Sequence, residues 1–486
     1  MTRATLLENG LVVDGTGDPA TEQDVLITGD RIAAVGPGLR HQLPAGLTLA
    51  DIDVRDCAGL AIAPGFIDVH THDDAIVLNA PGMFPKLSQG VTTVVTGNCG
   101  LSVAPFVVDE PQGALTLLGN SFKYPTIDAY AKALAEAEPA VNVAPLIGHT
   151  TLRYACMGDL TRPASPAELE AMCKLLDECM AQGAIGMSSG LFYAEAMPAP
   201  ADEVTQLARV VARHGGVYAT HMRSEMATIL EAMHEASDCA FDAGVPLIIS
   251  HHKCAGPANW GRTAETLPLI EKLAERQAIS MDVYPYVAGS TVLREDLVDE
   301  IIDVMVSWSA PFPEMTGRML ASIAAEWGVT QKEACIRLKP GGACYFQMHE
   351  DDVRRVVSHP FSMIGSDGLP HDRHPHPRLW GAFPRVLARY WREQQLFTME
   401  LAVHKMTGLS ARNFRLHQRG QIRANWFADV TVFDPLRIRD VATYENPLAQ
   451  SEGVEMVFVN GVLGIDSGRA TRSHAGRLLR RQGARS

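Results

Sequence analysis

The sequence predicts an α/β chain: a (β/α)8 barrel of the TIM type with a small β-sandwich domain built from both chain ends. Three observations predict it. Through the middle of the chain, eight short apolar segments alternate with helix-like ones. The two ends instead share a texture of short strands and turns. And 486 residues are too many for one ordinary core, so a large domain and a smaller one are expected.

Near the N-terminus, LVVDGTG, VLITGD and RIAAVG alternate apolar runs with Gly and Asp. The same pattern returns in ADVTVFDP and VEMVFVNGVLGID, where Asn-Gly is a hairpin signal. Neither end has enough strands to bury a face alone. Residues 1–58 are therefore expected to pair with 413–486, with residues 59–412 inserted between them as the barrel.

The eight expected barrel strands are GFIDVHTH, VTTVVTGNCG, NVAPLIGHT, AIGMSSGLFY, GVYATHMR, PLIISHHK, ISMDVYPY and FSMIGSDG. Convincing helices lie between several of them. SPAELEAMCKLLDECMAQG opens on a Ser cap, has Glu three residues later and closes on Gly. DEVTQLARVVARHGG and TLPLIEKLAERQ are amphipathic in the same way. A doubly wound open sheet is the main rival, but no G-x-G-x-x-G follows the first strand. The largest insertion, about residues 291–358, is helical in pattern (EIIDVMVSW, MTGRMLASIAAEWG) and is expected to cover the active-site mouth.

With 47 % hydrophobic and 20 % charged residues, the composition is that of a globular enzyme and excludes a disordered chain. The formal net charge of −14, without clustered Lys and Arg outside GRLLRRQGAR, speaks against nucleic-acid binding. That tail reads as a solvated or lightly docked terminus. No apolar run reaches the roughly 18 residues a membrane span needs. MTRATLLENG meets charge almost at once and lacks a signal-peptide core. Nine cysteines without a C-x-x-C pair argue for a reducing compartment, so a cytoplasmic location is expected.

The chemistry begins in PGFIDVHTHDD, residues 64–74. In a strand, side chains two apart point together, so His70 and His72 share a face while Thr71 turns away. On a helix the two would diverge by about 200° and miss a common ion. Both lie at the C-terminal end of the first strand, where barrel enzymes build their sites. Cys99 ends the second strand, His221 the fifth, His251 the sixth and Asp367 the eighth. His252 is adjacent to His251, so alternation sends it to the other face. Singly, each has an ordinary structural reading: a buried thiol, a satisfied imidazole, an Asp forming a turn before Gly. Together, six such side chains on one rim suit Zn²⁺ rather than Ca²⁺ or Mg²⁺.

Over nearly its whole length the chain resembles the N-acyl-D-amino-acid deacylases (D-aminoacylases) of the amidohydrolase superfamily. PGFIDVHTHDD, GNCGLS, GHTTLR, SSGLFY, THMRSE, ISHHK, DVYPY and GSDG stand in family order. The resemblance implies a barrel inserted into a β-sandwich and one or two zinc ions. It also implies zinc-dependent hydrolysis of the amide bond of N-acyl-D-amino acids, and the preference for the D-enantiomer rests on it alone. Carried over, His70, His72, Cys99, His221 and His251 are metal ligands. Asp367 is the catalytic acid/base and a further ligand. Many superfamily members bridge their metals with a carboxylated lysine on the fourth strand. AIGMSSGLFY has none, and Cys99 fits the deacylase pattern of replacing it.

On the substrate side, the resemblance implies Arg378 as the carboxylate clamp, a task that suits a bidentate guanidinium. It implies Tyr284 and Ser290 as hydroxyl donors, with Lys253 and Tyr193 beside them. Arg294 reads equally as a partner for an acidic substrate side chain or as a surface charge. The histidines of HDRHPHP fall in a Pro-broken loop and read as structural or surface residues. Two other readings differ at named features. A hydantoinase- or dihydroorotase-like cyclic amidase usually relies on the bridging lysine that is missing here. A non-catalytic relative on the same fold would lack metal donors.

Overall fold

The computed structural model describes residues 4–44 and 46–483. Eight parallel strands follow one another around the barrel: Phe66–Asp68, Val91–Thr96, Asn142–Gly148, Gly186–Gly190, Val217–His221, Leu247–Ile249, Ile279–Val283 and Ser362–Ile364. The ring closes just beyond the ends of its first and last strands. Thr71 bridges Gly368 in parallel, and Asp367 N donates to His70 O at 2.8 Å. Inside, Ile67, Val95, Leu146, Val217, Ile248 and Met363 pack with Leu409, Phe414 and Leu416, which arrive after the last strand.

Helices cover the outside as their apolar stripes require. Pro166–Ala181 starts on the predicted capping box, Ser165 with Glu168, and buries Met172, Leu176 and Met180. Ala201–Arg213 buries Val204, Leu207, Val210 and Val211 at helical spacing. The GHTTLR segment forms the helix His149–Cys156 directly after the third strand. A buried ion-pair cluster ties it to Ala201–Arg213. Glu203 Oε1 accepts from His149 Nε2 at 2.8 Å and from Arg153 Nη1 at 2.6 Å. Burial pushes the Glu203 carboxyl up, but His149 and Arg153 outweigh it and hold the group at about 2.

The chain ends pair as predicted. Ala4–Val12, Thr21–Thr28, Arg31–Gly36, Ile52–Asp56 and Ala61–Pro64 share one nine-stranded sheet with Val430–Phe433, Val454–Val459, Val462–Asp466 and Arg469–Ala470. Asn460 and Gly461 turn the predicted hairpin with φ of 47° and 76°. The sheet extends past the expected boundary at residue 58. Ala61–Pro64 joins the two chain ends, pairing parallel with residues 11–12 and antiparallel with Val430–Phe433.

The insertion is helical in MTGRMLASIAAEWG, as expected, but EIIDVMVSW is not: it contributes the strand Val304–Ser309. Gly289–Val292, Val304–Ser309 and Gly341–Tyr345 form an antiparallel sheet, with the helices Leu320–Trp327 and Gln331–Arg337 packed against it. A short apolar run such as VMVSWS has no period that separates helix from strand, and long-range pairing decides it. Part of the basic tail docks: Leu478 bridges Val143, and Leu479 N donates to Val143 O at 2.7 Å. Ala484 and Arg485 of that tail, and the first three residues of MTRATLLENG, lie outside the described residues. No helix among the described residues is long and apolar enough to cross a membrane.

Glu203→Gln leaves the Arg153 cation without its counter-charge in a buried site, so stability is expected to fall by about 3–5 kcal/mol in urea denaturation. Because the folded carboxyl is depressed, this contribution is full above its ordinary value of 4.5 and fades as pH falls towards about 2.

Candidate metal centre

The C-terminal ends of five strands deliver the candidate donors. His70 and His72 leave the first strand with ring centroids 5.8 Å apart, as their two-residue spacing predicts. Cys99, His251 and Asp367 follow the second, sixth and eighth strands, and His221 is the last residue of the fifth. Cys99, His251 and Asp367 all occupy left-handed backbone, with φ of 54°, 35° and 49°. Non-glycine residues adopt this region at a cost, and such strain gathers at functional sites. The turn at Cys99 depends on Gly97, since a Cβ there would stand 2.0 Å from Leu146 O.

All six candidate donors converge. One group is His70, His72, Cys99 and Asp367; the other is Cys99, His221 and His251. Within each, the donor atoms lie within 4.8 Å of one another. Cys99 Sγ is 3.2 Å from His70 Nε2 and 3.4 Å from His251 Nε2, and is common to both groups. His251 Nε2 is 3.0 Å from His221 Nδ1, and Asp367 Oδ1 is 3.2 Å from His72 Nε2. His252 turns away, as alternation predicts, and its Nε2 meets Thr266 Oγ1 at 2.8 Å.

The charges suit a cation. Burial pushes the Cys99 thiol up, but His70 and His251 bring it well below its ordinary value. Burial likewise pushes the Asp367 carboxyl up, and Arg378 and then His70 hold it well below the carboxylate range. Thiolate, carboxylate and imidazoles at this spacing match the donors zinc takes. The residues that would hold zinc are therefore the two groups above, with Cys99 able to serve both.

Sequence reasoning missed the carboxylates behind the imidazoles. Asp282, in DVYPY on the seventh strand, lies 3.2 Å from His70 Nδ1 and accepts from His251 N at 2.9 Å. Glu225, four residues after His221 in THMRSE, lies 2.9 Å from His251 Nδ1. A third buried cluster lies at the barrel seam: Lys86 Nζ donates to Asp68 Oδ2 and Ser366 Oγ, both at 2.8 Å. The available signal was an Asp inside an apolar strand motif for Asp282 and Asp68; Glu225, after the fifth strand in THMRSE, offered none.

Tyr193, Lys253, Tyr284 and Ser290 line one cavity with His72, Cys99, His221, His251 and Asp367. Arg378 stands behind that wall, fully buried, with Nη1 2.9 Å from Asp367 Oδ2 and its guanidinium 4.5 Å from the Tyr284 ring. Arg294 is tied to Asp296 at 2.6 Å and lies over Phe192, so it does not face the cavity. In HDRHPHP, His374 and His376 bond Tyr444, in keeping with structural roles.

Fold and donors together define a barrel protein with a metal centre at its C-terminal rim. The chain belongs to the amidohydrolase family, whose model matches residues 53–309 and 333–463. It is 48 % identical to the D-aminoacylase of Alcaligenes xylosoxydans xylosoxydans over 99 % of this chain and 98 % of that protein. The N-acyl-D-aspartate deacylase of the same organism is 44 % identical over 98 % of this chain and 94 % of its own length. A crystal structure of the N-acyl-D-glutamate deacylase from Bordetella bronchiseptica, complexed with zinc and a phosphonate that mimics the tetrahedral intermediate, matches with TM-score 0.92. It is 41 % identical over 98 % of this chain and 99 % of that one.

Cys99→Ala removes the donor common to both groups. Zinc bound per chain after dialysis, measured by mass spectrometry, is expected to fall further than in His72→Ala.

Proposed function

We propose that this chain is a zinc-dependent N-acyl-D-amino-acid deacylase, releasing a carboxylate and a free D-amino acid. One observation carries the reading: two groups of metal donors meet at Cys99, beside an ionised Asp367, in a chain closely similar throughout to D-aminoacylase. An amide carbonyl is a weak electrophile and water a weak nucleophile at neutral pH. Zinc, when bound, lowers the pKa of water to about 7 and polarises the acyl oxygen.

The chain's residues supply the rest. Asp367 takes the proton of the attacking water and returns it to the leaving amine as the tetrahedral intermediate collapses. Its carboxyl, held well below the carboxylate range by Arg378, is deprotonated before the reaction and so free to accept that proton. Lys253, Tyr284, Ser290 and Tyr193 bind the substrate's polar atoms from the cavity wall. Arg378 clamps the carboxylate from behind Tyr284, in exchange for part of its contact with Asp367. The remaining wall supports an apolar substrate side chain, since Leu117, Phe192, Met226, Leu297 and Leu369 line it. The absence of a lysine from the fourth strand weighs against a cyclic amidase, and the assembled donors weigh against a non-catalytic relative. A cytoplasmic site of action fits the nine cysteines, all of them free.

Asp367→Asn is expected to retain zinc while kcat falls about 100- to 10,000-fold. Near wild-type turnover in that variant would remove Asp367 from the mechanism. Across N-acetyl-D-Met, -Leu, -Phe, -Asp and -Glu and their L-forms, kcat/KM is expected to favour the apolar D-substrates by about tenfold or more, as one to two buried methylenes would give. Equal or better turnover of the acidic substrates overturns the apolar assignment.

A further inference from the structure

Glu225 has no part in the chemistry above, yet it touches more of the site than any other outer residue described. It is buried, with 6 % exposure, in the segment after the fifth strand. Its Oε1 accepts from Lys253 Nζ at 2.6 Å and lies 2.9 Å from His251 Nδ1, while Oε2 is 3.7 Å from His221 Nε2. His251 thus turns Nδ1 to Glu225, and to Lys253 Nζ at 2.8 Å, and Nε2 to the donor cluster, while His221 meets Glu225 only through charge, beyond hydrogen-bonding reach. His251 presents Nε2 to Cys99 Sγ at 3.4 Å and to His221 Nδ1 at 3.0 Å. A ligating imidazole must carry its proton on the nitrogen remote from the ion, and an outer carboxylate fixes that tautomer. Lys253 is held by the same oxygen and also donates to His251 O at 3.1 Å, which leaves its ammonium on the cavity wall. Asp282 supports His70 similarly, but among the described residues it holds no cation of that wall.

We infer that Glu225 is a positioning residue that joins His251 to Lys253, so that zinc affinity and substrate affinity depend on one buried carboxylate. The inference rests on the hydrolase reading above. Two short contacts to one side chain carry it, Lys253 Nζ at 2.6 Å and His251 Nδ1 at 2.9 Å. Loss of the negative charge leaves His251 Nδ1 facing the Lys253 ammonium with no counter-charge and releases Lys253 together, whereas loss of Lys253 leaves the Glu225 contact to His251 Nδ1 in place.

Glu225→Gln and Lys253→Met test this. The zinc dissociation constant of each apo-protein is measured against a chromogenic chelator, and kcat and KM for N-acetyl-D-methionine are measured at saturating zinc. Glu225→Gln is expected to weaken zinc binding about 10- to 100-fold and to raise KM more than it lowers kcat. Lys253→Met is expected to raise KM with zinc affinity unchanged. Wild-type zinc affinity in Glu225→Gln, or weakened zinc binding with KM unchanged, overturns the inference. If Glu225→Gln does not fold, Lys253→Met decides alone: retained zinc with raised KM supports the link, and lost zinc overturns it. Wild-type protein that binds zinc but leaves every N-acetyl-D-amino acid intact overturns the functional reading, and the zinc titration then decides the role of Glu225.

Discussion

Closure of the barrel between its first and last strands is the constraint on which the rest depends. His70 and Asp367 are remote in the chain, and the backbone bond from Asp367 N to His70 O brings their side chains together. The seam is fastened from outside the cluster by Lys86, whose buried ammonium bonds Asp68 on one strand and Ser366 beyond the other. Asp68 in turn accepts from Ser366 N at 2.8 Å. An unpaired charge at such depth would cost several kcal/mol, so this arrangement tolerates little slippage of one strand past the other. The short donor spacings around Cys99 follow from that rigidity.

The site gathers charge among buried side chains. Cys99, Asp367, Asp282 and Glu225 bring negative charge; Arg378 and Lys253 bring permanent positive charge, and the imidazoles adjust between them. Burial penalises charge on these groups, and contacts such as Arg378 with Asp367 and Lys253 with Glu225 offset that penalty. The strained backbone at Cys99, His251 and Asp367 belongs to the same arrangement, since ideal strand ends would aim these side chains elsewhere. The surrounding packing offsets that cost.

The insertion gives the site its outer wall. Ser290 and Thr291 reach the cavity from its first strand, Tyr345 from its last, and Leu297 from the turn between strands. With its own apolar core, this unit presents cavity-lining residues from a packed base rather than from a loose loop. The barrel thus carries the candidate metal-binding side chains, and barrel and insertion together line the cavity beside them.

The sequence by itself determined the barrel, the pairing of the chain ends and which six His, Cys and Asp side chains could converge on one rim. Those features are written locally: an apolar run ending in His-x-His, a capping box at Ser165, an Asn-Gly hairpin. Tertiary structure alone decided what the local pattern cannot encode. VMVSWS became a strand because distant partners supplied its hydrogen bonds, and Ala61–Pro64 joined the end sheet for the same reason. Glu225 and Asp282 became supports for imidazoles only when separate strands brought them within 3.2 Å. Arg378 was legible as a cation near the site, but its place against Asp367 and Tyr284 came from the fold. Residue type and periodicity report which face a side chain takes, whereas its partners depend on which strands close the ring.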